Sequence, residues 1–164
     1  MTSKAKKPSM PEANNEAPIM VRAQYIRDLS FENPNPLVIF SSETSTQPEI
    51  QVGIQAKAQN LGDRNFELVL DFNIEAKREK DTMFIVELSY AAVVTISNGF
   101  PEDKMNHAVM VDAAQLIFPF ARNIIADMTR DGGYPPLMLA PVDFAGLFLQ
   151  QSQQSAEATH PAVH

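Results

Sequence analysis

The first half of the chain alternates apolar and polar residues with a period of two, as strands with one buried face do. In residues 49–60, isoleucine, valine and alanine hold every second position, with glutamine, lysine and glycine among the residues between them. Residues 65–77 repeat this pattern, and residues 82–97 continue it with large apolar side chains on one side. A less regular alternation in residues 19–33 ends at an Asn-Pro-Asn-Pro sequence. The pattern predicts four β-strands.

Short connections join the last three predicted strands. Leu-Gly-Asp-Arg at residues 61–64 and the charged stretch at residues 76–81 are typical of turns, which make consecutive strands antiparallel neighbours. The second side of the strand at residues 82–97 carries Ala91 and Val93 and is not polar enough to be simply solvated. We expect a subunit interface on that side.

The period changes to that of helices after Gly99. Apolar residues recur at helical spacings in residues 113–128, and the glycine pair at residues 132–133 is typical of a helix end. Pro119 predicts a kink or a start within this helix. Asp143 is the predicted N-cap of a last helix, in which three large apolar residues follow at i, i+3 and i+4: Phe144, Leu147 and Phe148.

Prolines interrupt the apolar C-terminal third, which therefore cannot form one continuous helix. These prolines are Pro119, Pro135, Pro136 and Pro141. The pattern predicts two short helices joined by a fixed, proline-stiffened crossover. With the strands, it predicts an α+β domain: a four-stranded antiparallel sheet with the C-terminal helices packed on one face.

Both ends of the chain are small and polar. Residues 1–17 and residues 152–164 contain almost no large apolar side chains, and both are predicted to be disordered tails around one domain at residues 18–151. The N-terminal residues lack the apolar core of a signal peptide, and charged residues break the most hydrophobic region. We expect a cytoplasmic protein that does not insert into a membrane.

The charge of the chain restricts its partners. With 13 Lys and Arg against 20 Asp and Glu, the formal net charge is −7, which disfavours nucleic acid and favours a basic protein surface. Solubility alone is the other explanation of such acidity, and it stays open. The chain has no cysteine, which excludes disulfides and thiolate sites.

Candidates for catalysis or metal binding are few. The three histidines are His107, His160 and His164, and the last two lie in a predicted tail, where no fixed metal site is expected. His107 with a nearby aspartate is part of a hydrolase-like arrangement, but no serine occupies a glycine-flanked elbow. The six glycines form no phosphate-binding loop. We expect no cofactor and no enzymatic activity, and a hydrolase that depends on His107 is the weakest alternative.

Three carboxylates are placed for binding rather than catalysis. Asp28 and Glu32 share one side of the first strand, about 13 Å apart by strand rise, and Glu87 lies on the non-core side of the fourth. Together they are a candidate negative platform for a basic partner. Such carboxylates also keep sheet faces and edges soluble, and both interpretations stay open.

The C-terminal third contains three ordered motifs. They are Ile-Phe-Pro-Phe-Ala-Arg at residues 117–122, Gly-Gly-Tyr-Pro-Pro-Leu at 132–137 and Leu-Ala-Pro-Val-Asp-Phe at 139–144. With Tyr-Ile-Arg-Asp-Leu-Ser-Phe-Glu-Asn-Pro at 25–34, they resemble the SecB family of protein-export chaperones across about residues 19–150. Phe120 and Asn123 depart from the family pattern, which commonly has Tyr and Glu there.

The resemblance implies a SecB-like fold that assembles as a homotetramer, a dimer of dimers. It also implies an ATP-independent chaperone, which holds unfolded secretory precursors and delivers them to the export ATPase SecA. An oligomeric carrier of an apolar small ligand is the alternative function.

The same resemblance assigns candidate residues. It implies that Asp28, Glu32 and Glu87 dock the basic, zinc-binding C-terminal tail of SecA. Eight apolar residues are candidates for the client-binding groove, although each is equally suited to plain core packing: Phe31, Ile50, Val52, Ile54, Phe66, Leu137, Leu147 and Phe148.

Overall fold

The computed structural model describes residues 17–37 and 46–158, with side chains up to residue 155. Four long strands form one antiparallel sheet in the order β1-β4-β3-β2. Their bounds are Ile19–Glu32 for β1, Glu49–Gly62 for β2, Asn65–Arg78 for β3 and Asp81–Ile96 for β4. The four predicted strands and the antiparallel neighbours made by the short turns are confirmed.

The turn between β2 and β3 explains why those strands pair in one register. Asp63 and Arg64 have φ angles of 49° and 60°, the left-handed pair that a tight hairpin with right-twisted strands requires. The Arg64 guanidinium donates hydrogen bonds to the carbonyl oxygens of Ile96 and Phe100, at 3.2 and 2.6 Å. The turn is therefore fixed to the end of β4.

One 30-residue helix, α1 (Glu102–Asp131), follows the sheet. It begins as a 3-10 turn, includes the π turn Ala108–Ala113 and is regular from Ala114. Pro119 neither starts nor ends it, so the prediction of two short helices is wrong for the first. The π turn lies between the sheet and the last helix and contacts both, which explains why the consecutive residues 108–111 are all buried.

The core lies between one face of the sheet and α1. Leu70, Ile74 and Leu88 from the sheet and Ile117 and Ile125 from the helix are at most 2% exposed. Burying each such side chain contributes about 1.5–3 kcal/mol, so the alternating patterns of β3 and β4 stabilise the domain through this face. The predicted core sides of these two strands are confirmed.

The alternation predicted for β1 is wrong in its middle. The pairing of β1 with β4 shifts between Val21 and Ala23 and again between Ile26 and Asp28, as β-bulges do. Each bulge adds a residue and exchanges the two sides of the strand. As a result Tyr25, predicted to share a side with Leu29, lies on the opposite face.

A second helix, α2 (Phe144–Ala158), ends the described chain. The N–H of Gly146 donates to Asp143 Oδ1 at 3.0 Å, which confirms Asp143 as its N-cap. The helix continues through residues 152–158, so the predicted disordered tail is wrong for these residues. Ser152 donates to the carbonyl of Phe148 one turn earlier and so fits a helix. The rest of this tail and residues 1–16 lie outside the described residues.

The crossover between α1 and α2 is fixed, as predicted. The buried Thr129 hydroxyl accepts a hydrogen bond from the N–H of Leu137 at 2.9 Å. The Tyr134 hydroxyl donates to the carbonyl of Met83 at 2.7 Å, and its ring contacts that of Phe84. These contacts hold the proline-rich segment against the helix on one side and the sheet on the other.

Within the described residues, α1 is the one helix long and apolar enough to cross a membrane by length and composition. Its most apolar part has a mean hydropathy of 1.3 and is 56% buried inside the molecule. Because that part packs on the sheet, α1 has the character of a core helix.

Candidate partner-binding faces

The helices cover one face of the sheet and leave the other open. This outer face carries polar side chains from all four strands, with β1 and β4 contributing the three predicted acids. Glu87 lies directly opposite Ser30, whereas Asp28 and Glu32 are the residues two positions before and after Ser30. Diagonal neighbours of this kind are about 7–8 Å apart between Cα atoms. The structure therefore brings Asp28, Glu32 and Glu87 together on the outer face, in three neighbouring cross-strand pairs of β1 and β4.

The second bulge in β1 shapes this face. The residues before the bulge are paired one position out of step with those after it, so Arg27 and Asp28 both stand beside Ser89. The Arg27 guanidinium reaches Glu67 on the outer face at 3.6 Å. A cation and an anion thus lie next to each other at the middle of the first strand.

Three acids of the outer face, all on β3, have a cation beside them. Glu67 lies near Arg27 and also accepts a hydrogen bond from the Tyr25 hydroxyl, which with burial raises the pKa of Tyr25. Asp71 is 2.7 Å from Lys57 Nζ, and Glu75 is 3.0 Å from Lys77 Nζ. These exposed pairs are each worth about 0–1 kcal/mol.

Asp71 is the most tightly held of these acids. Burial acts to raise the pKa of its carboxyl, but hydrogen bonds from Lys57 and Ser89 together outweigh burial and lower that pKa. Asp71 is therefore an anion whose charge is already matched within the chain.

The three predicted docking acids differ from these paired acids. Among the described residues, none of Asp28, Glu32 and Glu87 has a Lys, Arg or His nitrogen within 4.0 Å. Glu87 accepts one hydrogen bond, from the neutral amide of Asn73 at 3.1 Å. These three acids thus form no direct ion pair within the described residues, although Arg27 and Lys57 lie in their neighbourhood.

A cavity of about 440 Å³, here called the acidic basin, opens beside these acids. Asp28, Glu87 and Asp71 provide its charges, together with Lys57. Small residues lie between them, including Gly53 and Ser89. A second cavity, of about 600 Å³, adjoins it and shares Asp28, Lys57, Asp71 and Ser89. Glu32 lines neither cavity and stands beyond the basin.

The subunit interface predicted on the outer side of β4 stays a prediction. Ala91 is 0% exposed and Val93 is half-buried in the single chain, because the side chains of the neighbouring strands cover them. No apolar patch that needs a second chain remains at these two residues.

A second candidate site lies at the opposite edge of the sheet, between β2 and α2. Val52, Ile54 and Leu147 line a cavity of about 340 Å³ together with Val142 and Gly146, here called the β2–α2 groove. Ile50 lies two residues before Val52, on the same face of β2, and is 39% exposed. Four of the eight predicted groove residues therefore lie in or next to one open apolar surface.

The other four predicted groove residues lie elsewhere. Phe66 is 9% exposed and belongs to the hydrophobic core. Phe31 lies on β1, the far edge of the sheet, stacked on Phe84 at 6.0 Å. Leu137 packs in the crossover, and Phe148 contacts the ring of His107 at 5.8 Å.

His107 has surroundings that explain it without catalysis. Its Nδ1 atom is 3.8 Å from Asp112, its side chain is 52% exposed, and its ring contacts Phe148 edge-on. In the part of the chain that the structure describes, no group of three or more His, Asp or Glu side chains is arranged to hold a metal ion.

Sequence reasoning missed Lys57 and Asn73 as parts of the acidic face. Both belong to the polar side of their strands, so the alternation already placed them away from the core. Their contacts with Asp71 and Glu87 depend on how the strands are aligned, and the alternation of one strand carries no information about its alignment with the next.

An α+β domain with one helix-covered face, one open acidic face and an apolar edge groove is suited to binding other proteins. The family model of the preprotein translocase subunit SecB matches residues 12–155, and the chain therefore belongs to the SecB family. It is a chaperone for preprotein export, as the resemblance implied.

Relatives of known function agree with this family. The chain is 41% identical over 153 residues to the protein-export protein SecB of Rhodospirillum rubrum, covering 92% of this chain and 94% of that protein. It is 46% identical over 137 residues to the protein-export protein SecB of Afipia carboxidovorans, with 84% of each chain covered.

A solved structure has a similar fold. It is the SecB-like chaperone of Mycobacterium tuberculosis in complex with a peptide from the HigA1 antitoxin. The TM-score is 0.62 at 11% identity, and the match covers 76% of this chain and 90% of that one. At this identity the likeness concerns the fold, and it confirms the predicted sheet with C-terminal helices.

Proposed function

We propose that this chaperone holds unfolded preproteins in the cytoplasm without ATP and delivers them to the ATPase SecA. The observation that carries the SecA step is the group formed by Asp28, Glu32 and Glu87 on the open face, where none of the three forms an ion pair with a cation of the described residues. A basic partner segment gains attraction there without first breaking an ion pair of these three acids with a described residue. Charge complementarity of this kind favours fast and specific docking.

The β2–α2 groove is the proposed client-binding surface. Val52 and Ile50 are 44% and 39% exposed, and Leu147 faces them from α2. Each large apolar client side chain buried there contributes about 1.5–3 kcal/mol, whatever the sequence around it. Several such contacts along one unfolded chain add up to useful affinity without a sequence code.

We also propose a homotetramer, arranged as a dimer of dimers. Leu116 and Phe120 are one helical turn apart on α1, and each is 52% exposed. Two neighbouring large apolar side chains on the solvent side of a core helix support a contact with another subunit. Light scattering of the purified protein measures the mass directly, and a monomer at working concentrations would contradict this assembly.

The alternative of a carrier for an apolar small molecule is not favoured. Both cavities of the outer face are open and lined by charged side chains, which do not enclose an apolar ligand. The β2–α2 groove is likewise open to solvent and does not enclose a ligand.

The docking proposal is tested with a labelled, zinc-loaded peptide of the SecA C-terminal tail. Fluorescence anisotropy gives its Kd for the wild-type chain and for the variant Asp28→Ala with Glu87→Lys. The variant removes two negative charges and adds a positive one, so we expect at least about a tenfold loss of affinity. Unchanged affinity would show that SecA docks elsewhere.

A further inference from the structure

Lys57 lies at the acidic basin, where it is the cation among three carboxylates. Its Nζ atom is 2.7 Å from Asp71 Oδ2, and Asp28 and Glu87 line the same cavity. Lys57 and Asp71 also line the adjoining cavity, so the pair stands where the two cavities meet. The lysine side chain is 65% exposed and comes from the edge strand β2.

An ammonium group in this position resembles the group that a basic partner would bring. A partner lysine or arginine that enters the basin between Asp28 and Glu87 also approaches Asp71, whose carboxylate already accepts a hydrogen bond from Lys57. The two cations repel each other and compete for the same carboxylate. Because the Lys57 side chain is 65% exposed and flexible, moving its ammonium group away from Asp71 costs little free energy.

We propose that Lys57 acts as a built-in competitor that weakens the binding of basic partner segments and makes it selective. This inference rests on the proposed docking of SecA at the outer face. Asp71 is then a fourth acid of the docking site, available to the partner only when Lys57 moves away. A segment with a single basic residue competes with Lys57 for Asp71, whereas a segment with several basic residues displaces Lys57 more completely.

The neighbouring residues support this arrangement. Ser89 donates a hydrogen bond to Asp71 Oδ1, so the carboxylate stays in place when the lysine leaves its other oxygen. Gly53 lines the basin without a side chain, and its nearest outside contact, the carbonyl of Asn73, is 3.6 Å from where a Cβ would stand. The absence of a side chain at Gly53 therefore leaves the basin wider beside Asn73 than any other residue there would.

The test compares Lys57→Met with the wild-type chain in the anisotropy titration with the zinc-loaded SecA tail peptide. We expect Lys57→Met to bind about two- to fivefold more tightly, the range set by one exposed charge pair. Lys104→Met is the matched control, because it changes the net charge equally but lies in the first turn of α1, away from the basin. We expect its Kd to stay near that of the wild-type chain.

A third variant separates competition from a general charge effect. In Lys57→Met with Asp71→Asn, the released carboxylate is absent, and we expect most of the gain in affinity to disappear. Tighter binding in Lys57→Met that persists in the double variant, or that equals the gain in Lys104→Met, would overturn the role of Asp71. Unchanged or weaker binding in Lys57→Met would overturn the competitor itself.

The same titrations show which proposal fails. If Asp28→Ala with Glu87→Lys binds the peptide as well as the wild-type chain, docking at the outer face is wrong. If that variant loses binding but Lys57→Met gains none, docking stands and the competitor is wrong. Because Lys57 is exposed on an edge strand, its variants are expected to fold, and thermal unfolding curves check this.

Discussion

The outer face of the sheet and the β2–α2 groove lie on one small domain but differ in the forces they offer a partner. The outer face presents carboxylates at positions set by strand pairing, some paired with Lys or Arg and others, including Asp28, Glu32 and Glu87, without such a pair among the described residues. The groove presents aliphatic side chains and little charge. Fixed charges recognise a particular partner, whereas apolar area accepts many. The domain thus separates a selective surface from a permissive one.

The separation has a simple origin in the sheet. The docking acids Asp28 and Glu32 lie on the edge strand β1, whereas the groove residue Val52 lies on the other edge strand, β2. The two sites meet at Ile54 of β2, which lines both the groove and the basin. The acids also point to the outer face and the groove residues to the helix side. We therefore expect variants on one surface to leave the other surface unchanged.

The largest expected effect is on client binding. Replacing Val52 and Leu147 by serine removes two apolar side chains from the β2–α2 groove, each worth about 1.5–3 kcal/mol when covered by a client. We expect at least about a tenfold weaker Kd for an unfolded precursor, measured by anisotropy of the labelled precursor.

Leu149→Ser is the matched control for the groove. Leu149 is 60% exposed on the same helix but does not line the groove. An equal loss of client binding in Leu149→Ser would mean that α2 binds clients through non-specific hydrophobic contacts rather than through a defined groove. Binding of the SecA tail peptide is expected to stay unchanged in both proteins.

A smaller effect distinguishes the two surfaces by pH. The lowered pKa of Asp71 means that its ionised form stabilises the folded state. This stabilisation is complete above the unfolded-state pKa, about 3.9, and is lost as the pH falls through the lower folded-state pKa. The difference in free energy of unfolding between the wild-type chain and Asp71→Asn should therefore shrink as the pH falls from neutral to below that range.

Urea unfolding at a series of pH values measures this difference. Val52→Ser is the control, because it adds no titratable group and its effect should be the same at each pH. Ser89→Ala removes one of the two hydrogen bonds to Asp71 and should show part of the same pH dependence. If the difference in free energy of unfolding between the wild-type chain and Asp71→Asn stayed constant with pH, ionised Asp71 would not stabilise the folded state as we infer.

The smallest effect concerns the helix that forms one wall of the groove. Asp143→Ala removes the hydrogen bond to the N–H of Gly146 and should lower the free energy of unfolding by about 1 kcal/mol. Asp143→Asn keeps a capping oxygen and should be nearly neutral. Equal losses in the two variants would show that the charge of Asp143, rather than its cap, stabilises α2.

Much of the fold was predictable because it depends on local pattern. The alternation in β3 and β4 has one apolar side, and that side faces the helices. The cap at Asp143 and the turn at residues 61–64 depend on a few adjacent residues. The prediction that Pro119 limits the helix failed. A proline within a long helix removes one hydrogen bond, and packing on the sheet outweighs that loss.

The candidate sites were less predictable because they depend on how strands align. The acids were correctly placed on one face. The bulge that puts Arg27 on the same side of β1 as Asp28 has no clear sequence signature. Phe31, Phe66 and Val52 look alike in the alternation, yet they lie at one edge, in the core and at the other edge. Strand order and packing decide which of these three positions a residue occupies, and the periodicity of one strand contains no information about either.

The most direct test of the account titrates three proteins with two partners. The wild-type chain, Asp28→Ala with Glu87→Lys, and Val52→Ser with Leu147→Ser are each titrated with the zinc-loaded SecA tail peptide and with an unfolded precursor. We predict that the first variant loses only the peptide and the second only the precursor. Loss of both partners in either variant would contradict the separation of the selective surface from the permissive one.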